Sequence, residues 1–175
     1  MSLLSADCSA CGYHRHLSED ILRSYKLDER TRVTIPVAYG WCKRCAGVTA
    51  VEALPSLAEI DDDIAFAAGV DDVRWRDHLQ ALRRWRAIRA GPAKCLECGS
   101  TRFEQFEEVP YGDDLDESEE AYRPVIHAGC GGSLALRHVG FSRSCAWIFY
   151  TPEGDKIEVN EVYSSRGLVR RPDDA

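Results

Sequence analysis

Four short stretches of this chain carry paired metal-ligand residues with two residues between them. They are Cys8-Ser-Ala-Cys11, Cys42-Lys-Arg-Cys45, Cys95-Leu-Glu-Cys98 and His127-Ala-Gly-Cys130. Two ligands spaced this way can reach one ion if the backbone turns tightly between them, and amides in the turn can then offset the charge on the sulfurs. A glycine follows directly in three of the four, at Gly12, Gly99 and Gly131, and one place later at Gly47 after Cys45. Glycine there allows the positive φ or the close approach that such a turn requires. A tetrahedral ion needs two turns, so four turns predict two sites of four ligands each.

The spacers suggest how the turns pair. Thirty residues separate Cys11 from Cys42 and twenty-eight separate Cys98 from His127, whereas forty-nine separate Cys45 from Cys95 in a stretch with helical character. This reads as an internal repeat. The first site is then Cys8, Cys11, Cys42 and Cys45, and the second is Cys95, Cys98, His127 and Cys130. Cys145 is the alternative fourth ligand of the second site. It sits in Ser-Cys-Ala-Trp-Ile-Phe-Tyr, which reads as a buried strand, where a free cysteine is a small core residue. His14 and His16 follow the first turn and read as exposed turn residues beside a site already filled, because structural zinc closes at four ligands.

With these turns, the chain resembles the zinc-ribbon and rubredoxin-like group of metal-knuckle proteins. The resemblance implies a metal and a β-rich fold, and zinc in both sites. The start Cys8 to Tyr13 is similar to that of rubredoxins, which would imply iron and electron transfer at the first site. The second turn departs from that pattern, with Lys43-Arg44 in place of the usual proline and no immediate glycine.

The elements that must position the ligands follow from periodicity. Leu17, Ile21, Leu22 and Tyr25 have the spacing of a short amphipathic helix. Arg32 to Tyr39 and Gly47 to Leu54 read as strands flanking the second turn. Ser56-x-x-Glu59 is a capping box ahead of Leu57, Ile60 and Ile64. A second helix is predicted from Asp71 or Asp72 to Ala90, with Trp75, Leu79, Leu82 and Trp85 as its apolar stripe and Gly91-Pro92 as its end. Strands are expected over Thr101 to Val109, Leu134 to Val139, Ser142 to Tyr150 and Lys156 to Tyr163. The acidic stretch Tyr111 to Glu120 and the tail from Arg166 read as loose. The expected fold is α+β, with two zinc-ribbon-like β-rich modules joined by a helical pair. The corresponding ranges are 1–54, 55–92, 93–165 and a tail over 166–175.

The net charge of −7 argues against a chain that coats nucleic acid by bulk charge. Six arginines against three aspartates between Asp71 and Ala90 leave a local alternative, nucleic-acid contact through Arg76, Arg83 and Arg84. No run of about 18 apolar residues is present, which predicts no membrane span. Met1 to Asp7 shows no basic region or apolar core, so no signal peptide is expected. Clustered cysteines then fit a reducing, cytoplasmic setting and metal binding. No His-Glu-x-x-His occurs, nor a phosphate-binding glycine loop, and both sites have four good ligands. Asp61 to Asp63 read as solvated acids near a helix start. The expected function is a non-catalytic zinc protein that works by binding another protein.

Overall fold

The computed structural model describes residues 2–18, 21–107, 122–141, 144–164 and 167–168. The acidic stretch Tyr111 to Glu120 lies outside them, as does the tail beyond Leu168.

Twelve strands and two helices make up the described chain. The strands are β1 Ser2–Cys8, β2 His14–Ser18, β3 Ile21–Lys26, β4 Arg32–Thr34, β5 Val37–Cys42, β6 Gly47–Glu52, β7 Phe103–Gln105, β8 Val125–Ile126, β9 Ser133–Phe141, β10 Ser144–Tyr150, β11 Lys156–Ser164 and β12 Gly167–Leu168. The helices are α1 Leu57–Ala67 and α2 Val73–Ile88. The strands form three small sheets, ordered β2-β1-β9-β8, β12-β11-β10-β3-β4 and β6-β5-β7. All pairings are antiparallel except β10 with β3.

This corrects the expected α+β arrangement of two ribbon modules joined by a helical pair. The fold is mainly β, and its sheets interleave early and late parts of the chain. β1 lies between β2 and β9, and β3 between β10 and β4. The connection between early and late parts is therefore made by strand hydrogen bonds. The helices instead cover the core, burying Ile60 from α1 and Leu79, Leu82 and Trp85 from α2.

The predicted helix around Leu17 to Tyr25 is also replaced, by β2 and β3. In β3 the polar Arg23 and Ser24 are buried with Tyr25, while the apolar Leu22 is 44% exposed. The i, i+4 spacing of its apolar residues is incidental. β3 is held on both sides, by β10 and by β4, and such pairing outweighs a weak local preference. The two true helices begin as read. Glu59 N–H donates to Ser56 Oγ at 3.1 Å and Ser56 N–H donates to Glu59 Oε2 at 2.7 Å. Asp72 caps α2 by accepting from Trp75 N–H at 3.0 Å.

One main core gathers Leu4, Val33, Val48, Leu96, Leu134 and Leu136 from all three sheets and their links. Inside it lies a charged knot. Glu52, in β6, is fully buried. Its Oε1 accepts from the Tyr25 hydroxyl at 2.6 Å, and its Oε2 accepts from Arg89 Nη2 at 2.9 Å and from the Lys94 amide at 2.8 Å. Arg89 also donates to the Pro152 carbonyl at 2.7 Å, and Trp85 Nε1 donates to the same oxygen at 2.9 Å. The Trp85 ring stacks on Tyr25 at 4.1 Å. Burial, then the neighbouring carboxylate, push the Tyr25 phenol far above its ordinary value, so it stays a hydrogen-bond donor.

This knot ties the end of α2, β6, β3 and the turn before β11 to one carboxylate. Removing that carboxylate strands a buried guanidinium and a buried hydroxyl. Glu52→Ala is expected to lower stability by about 3–5 kcal/mol in urea denaturation, whereas an exposed acid such as Glu153→Ala should change it by less than about 0.5 kcal/mol.

Candidate metal centres

The eight residues singled out by spacing lie in two groups of four. In each group the ligand atoms all lie within 4.8 Å of one another. The groups are Cys8, Cys11, His127 and Cys130, and Cys42, Cys45, Cys95 and Cys98. The expected pairing along the chain is therefore overturned. The outer turns, first and last, share one site, and the inner two share the other.

The physical reason is the helical hairpin. The long spacer between Cys45 and Cys95 argues against their sharing a site only if it leads away. Two antiparallel helices return the chain to its starting place. Glu52 N–H donates to the Lys94 carbonyl at 2.9 Å and Leu96 N–H to the Ala50 carbonyl at 3.0 Å, so the returning chain runs beside β6. Meanwhile β1 pairs with β9 from Ser2 opposite Phe141 to Cys8 opposite Leu134, and that ladder carries the first turn to the last.

In the outer site, His127 Nδ1 is 3.3 Å from each of the sulfurs of Cys8, Cys11 and Cys130. Cys8 and Cys130 sulfurs are 3.5 Å apart. In the inner site, Cys42 lies 3.6 Å from Cys98 and Cys45 lies 3.8 Å from Cys95, sulfur to sulfur. Sulfurs about 2.3 Å from a tetrahedral ion stand roughly 3.8 Å apart, so both groups fit such an ion with little adjustment. Cys145 lies in β10, and its side chain is outside what the structure describes.

Backbone amides meet two of the outer sulfurs. Ala10 N–H points at Cys8 Sγ at 3.5 Å, and Gly132 N–H points at Cys130 Sγ at 3.4 Å. The Ala10 amide leads the interactions that pull the Cys8 thiol down to about 6. Burial, then hydrogen bonds from Cys98 and Cys42, push Cys45 well above the thiol range. Four crowded thiols do not ionise together unaided; a divalent cation lets them.

The residue after the second ligand has positive φ in every turn: 69° at Gly12, 71° at Gly99, 72° at Gly131 and 48° at Ala46. In the turn without an immediate glycine, an alanine takes the strained conformation. Gly47 serves a different end. A Cβ there would stand 3.0 Å from Arg15 Nη1 and 3.1 Å from Tyr13 Oη. At Gly132 a Cβ would stand 2.6 Å from Ala10 Cβ and 2.9 Å from Cys8 Sγ, so that glycine lets the two outer turns meet.

Spacing missed the residues that stand between the sites. Trp41 immediately precedes Cys42, and its ring meets the His127 ring edge to face at 4.4 Å. Tyr13 packs on both, at 5.3 Å from Trp41 and 5.5 Å from His127. Its hydroxyl accepts from Val48 N–H at 2.9 Å. Thr49 Oγ1 is 3.2 Å from Cys95 Sγ and can donate to the thiolate. An aromatic residue within two positions of a ligand, as in Trp41-Cys42 and Cys11-Gly12-Tyr13, is the signal that was available. The inner site is the drier one, with Cys42 and Cys95 fully buried, whereas Cys11 and Cys130 are exposed.

Of the arginines considered for phosphate contact, Arg83 forms a two-point pair with Asp61, Nε to Oδ1 and Nη2 to Oδ2. Asp61 thus serves the α1–α2 packing. Arg86 donates to the Pro55 and Arg89 carbonyls.

The crossed pairing has a decisive test. A Cys11→Ser/Cys42→Ser double variant takes one ligand from each site, and native mass spectrometry should show loss of both ions. The pairing along the chain would instead cost one ion, since both residues would serve one site. Ala46→Gly relieves the left-handed alanine and should raise stability by about 0.5–1 kcal/mol, read as a higher denaturation midpoint.

No family model, curated protein or solved structure matches the chain.

Proposed function

We propose that this protein is a non-catalytic scaffold closed by two zinc ions, which acts in the cytoplasm by binding another protein. The observation that carries the reading is closure. Each site gathers four protein ligands, and a catalytic metal keeps a position open for water or substrate. Thiolate-rich tetrahedral sites favour zinc or iron, and the second turn's departure from the rubredoxin pattern favours zinc. Clustered reduced thiols fit a reducing compartment. Among the described residues, no helix is long and apolar enough to cross a membrane.

A protein partner is favoured by the face around the α1–α2 turn. Phe66 is 71% exposed and Val73 58%, and Phe66 packs edge-on against Trp75 at 6.0 Å. Nucleic acid through Arg76, Arg83 and Arg84 is the second reading. The Arg83–Asp61 pair and the acidic net charge weigh against it.

Native mass spectrometry with a visible spectrum should find two colourless zinc ions per chain; a red, iron-containing protein would overturn the zinc reading. His127→Ala should cost one ion and Cys145→Ala none. Binding to mixed-sequence RNA or DNA through three arginines would weaken roughly 40-fold between about 50 and 200 mM salt. The expected result is no measurable binding; a slope of that size would replace the protein partner with nucleic acid.

A further inference from the structure

His14 and His16, expected as exposed turn residues, lie instead in β2, at the edge of its sheet. Residues two apart on a strand face the same way. Their Nε2 atoms are 3.1 Å apart. An ion about 2.05 Å from each would see them at an angle of roughly 100°, between the square and tetrahedral values.

The other nitrogen of His14 is also placed. β1 and β2 pair antiparallel, with Asp7 opposite His14 and Ser5 opposite His16. His14 Nδ1–H donates to Asp7 Oδ1 at 2.6 Å. The Ser5 hydroxyl, on a residue 2% exposed, donates to Asp7 Oδ2 at 2.8 Å. A carboxylate on Nδ1 fixes the tautomer that leaves a lone pair on Nε2, the arrangement that orients histidine ligands in metal sites. The two imidazoles are exposed, and among the described residues no third histidine, cysteine or carboxylate joins them as a ligand.

We propose that His14, oriented through Asp7 and Ser5, and its strand neighbour His16 form a third metal site that takes one exchangeable divalent transition ion. Imidazole donors select zinc, nickel or copper(II) rather than magnesium or calcium. Two protein ligands leave the remaining positions to water, so the ion is held loosely and stays accessible. The hairpin explains why the pair is ready-made. Its tip is the Cys8–Cys11 turn, where Cys8 N–H donates to the Tyr13 carbonyl at 2.9 Å. An ion at the tip fixes the register that sets Asp7 against His14, whichever metal fills the cysteine sites.

The test is calorimetric titration of Zn(II) into the protein purified with its two tightly held ions and washed with citrate. One further equivalent should bind in the micromolar range and be removed again by citrate, while the two tight ions stay. The imidazole 15N resonances of His14 and His16 should shift as it binds. A His14→Asn/His16→Gln variant that keeps two tight ions and an unchanged amide spectrum should lose the third. Asp7→Asn keeps both histidines and should weaken the third ion about 10- to 100-fold. The proposal is overturned if the wild-type protein takes no third equivalent, if the third equivalent leaves both imidazole spectra unmoved, or if it survives in the double variant. An undiminished affinity in Asp7→Asn would remove the orienting role of the carboxylate. Metal analysis of the tight ions is read separately, so failure here leaves the two cysteine sites untouched.

Discussion

Crowded sulfur is the constraint on which the rest of this fold hangs. Seven thiols and one imidazole are packed into two groups whose ligand atoms lie within 4.8 Å of one another. Two thiolates about 4 Å apart repel by about 4 kcal/mol at an effective dielectric of 20. Either the thiols stay protonated and loosely associated, or a cation sits among them. With a cation, metal–thiolate attraction overcomes the repulsion and cross-links the chain, on the order of 10 kcal/mol per structural site. Each site gathers turns at the end of a single sheet, joining strands that are far apart along the chain. The outer one clamps the β1–β2 hairpin to the chain around β8 and β9, and the inner one clamps the β5–β6 hairpin to the strand entering β7.

Between the clamps the chain relies on ordinary packing and one unusual polar centre. Glu52 accepts from both Arg89 and Tyr25 inside the core. A buried ion pair is weak grounds for stability, since desolvation offsets much of the attraction. Its geometric effect is firmer: it fixes where the helical hairpin ends, and so where the chain re-enters beside β6. The inner metal site depends on that return. Ligand geometry and the carboxylate knot therefore constrain the same stretch of backbone from opposite sides. Trp41 and Tyr13 carry the contact from there to His127, so the two ligand groups share an aromatic wall.

Local chemistry was legible in the sequence; return paths were not. The turn spacing, the following glycines, the Ser56 and Asp72 caps and the stripe from Leu79 to Trp85 are encoded within a few residues, and each has its place in the structure. The pairing of turns depends on where the chain goes between them. A spacer of two helices looks long in residues but closes on itself in space, which equal spacer lengths cannot reveal. β1 escaped notice because Ser2 to Cys8 holds few large apolar residues and draws its partners from both chain halves. The helix read into Leu17 to Tyr25 failed for the complementary reason. Its apolar spacing suited a helix, yet pairing with β10 and β4 decided the outcome. The pairing of Asp7 with His14 likewise needed the register of β1 against β2.

The two sites are nested like brackets, one pair of ligand turns enclosed by the other. Closing the inner bracket removes its long excursion from the loop that the outer one must close. Cys11 and His127 are 116 positions apart, and the shortcut through the inner site roughly halves that separation. Each halving lowers the closure cost by about 0.6 kcal/mol. Synthesis from the N-terminus runs the same way, because the last inner ligand, Cys98, emerges well before His127 and Cys130. The order of assembly is thus written into the connectivity: the inner ion prepares the loop, and the outer ion locks it.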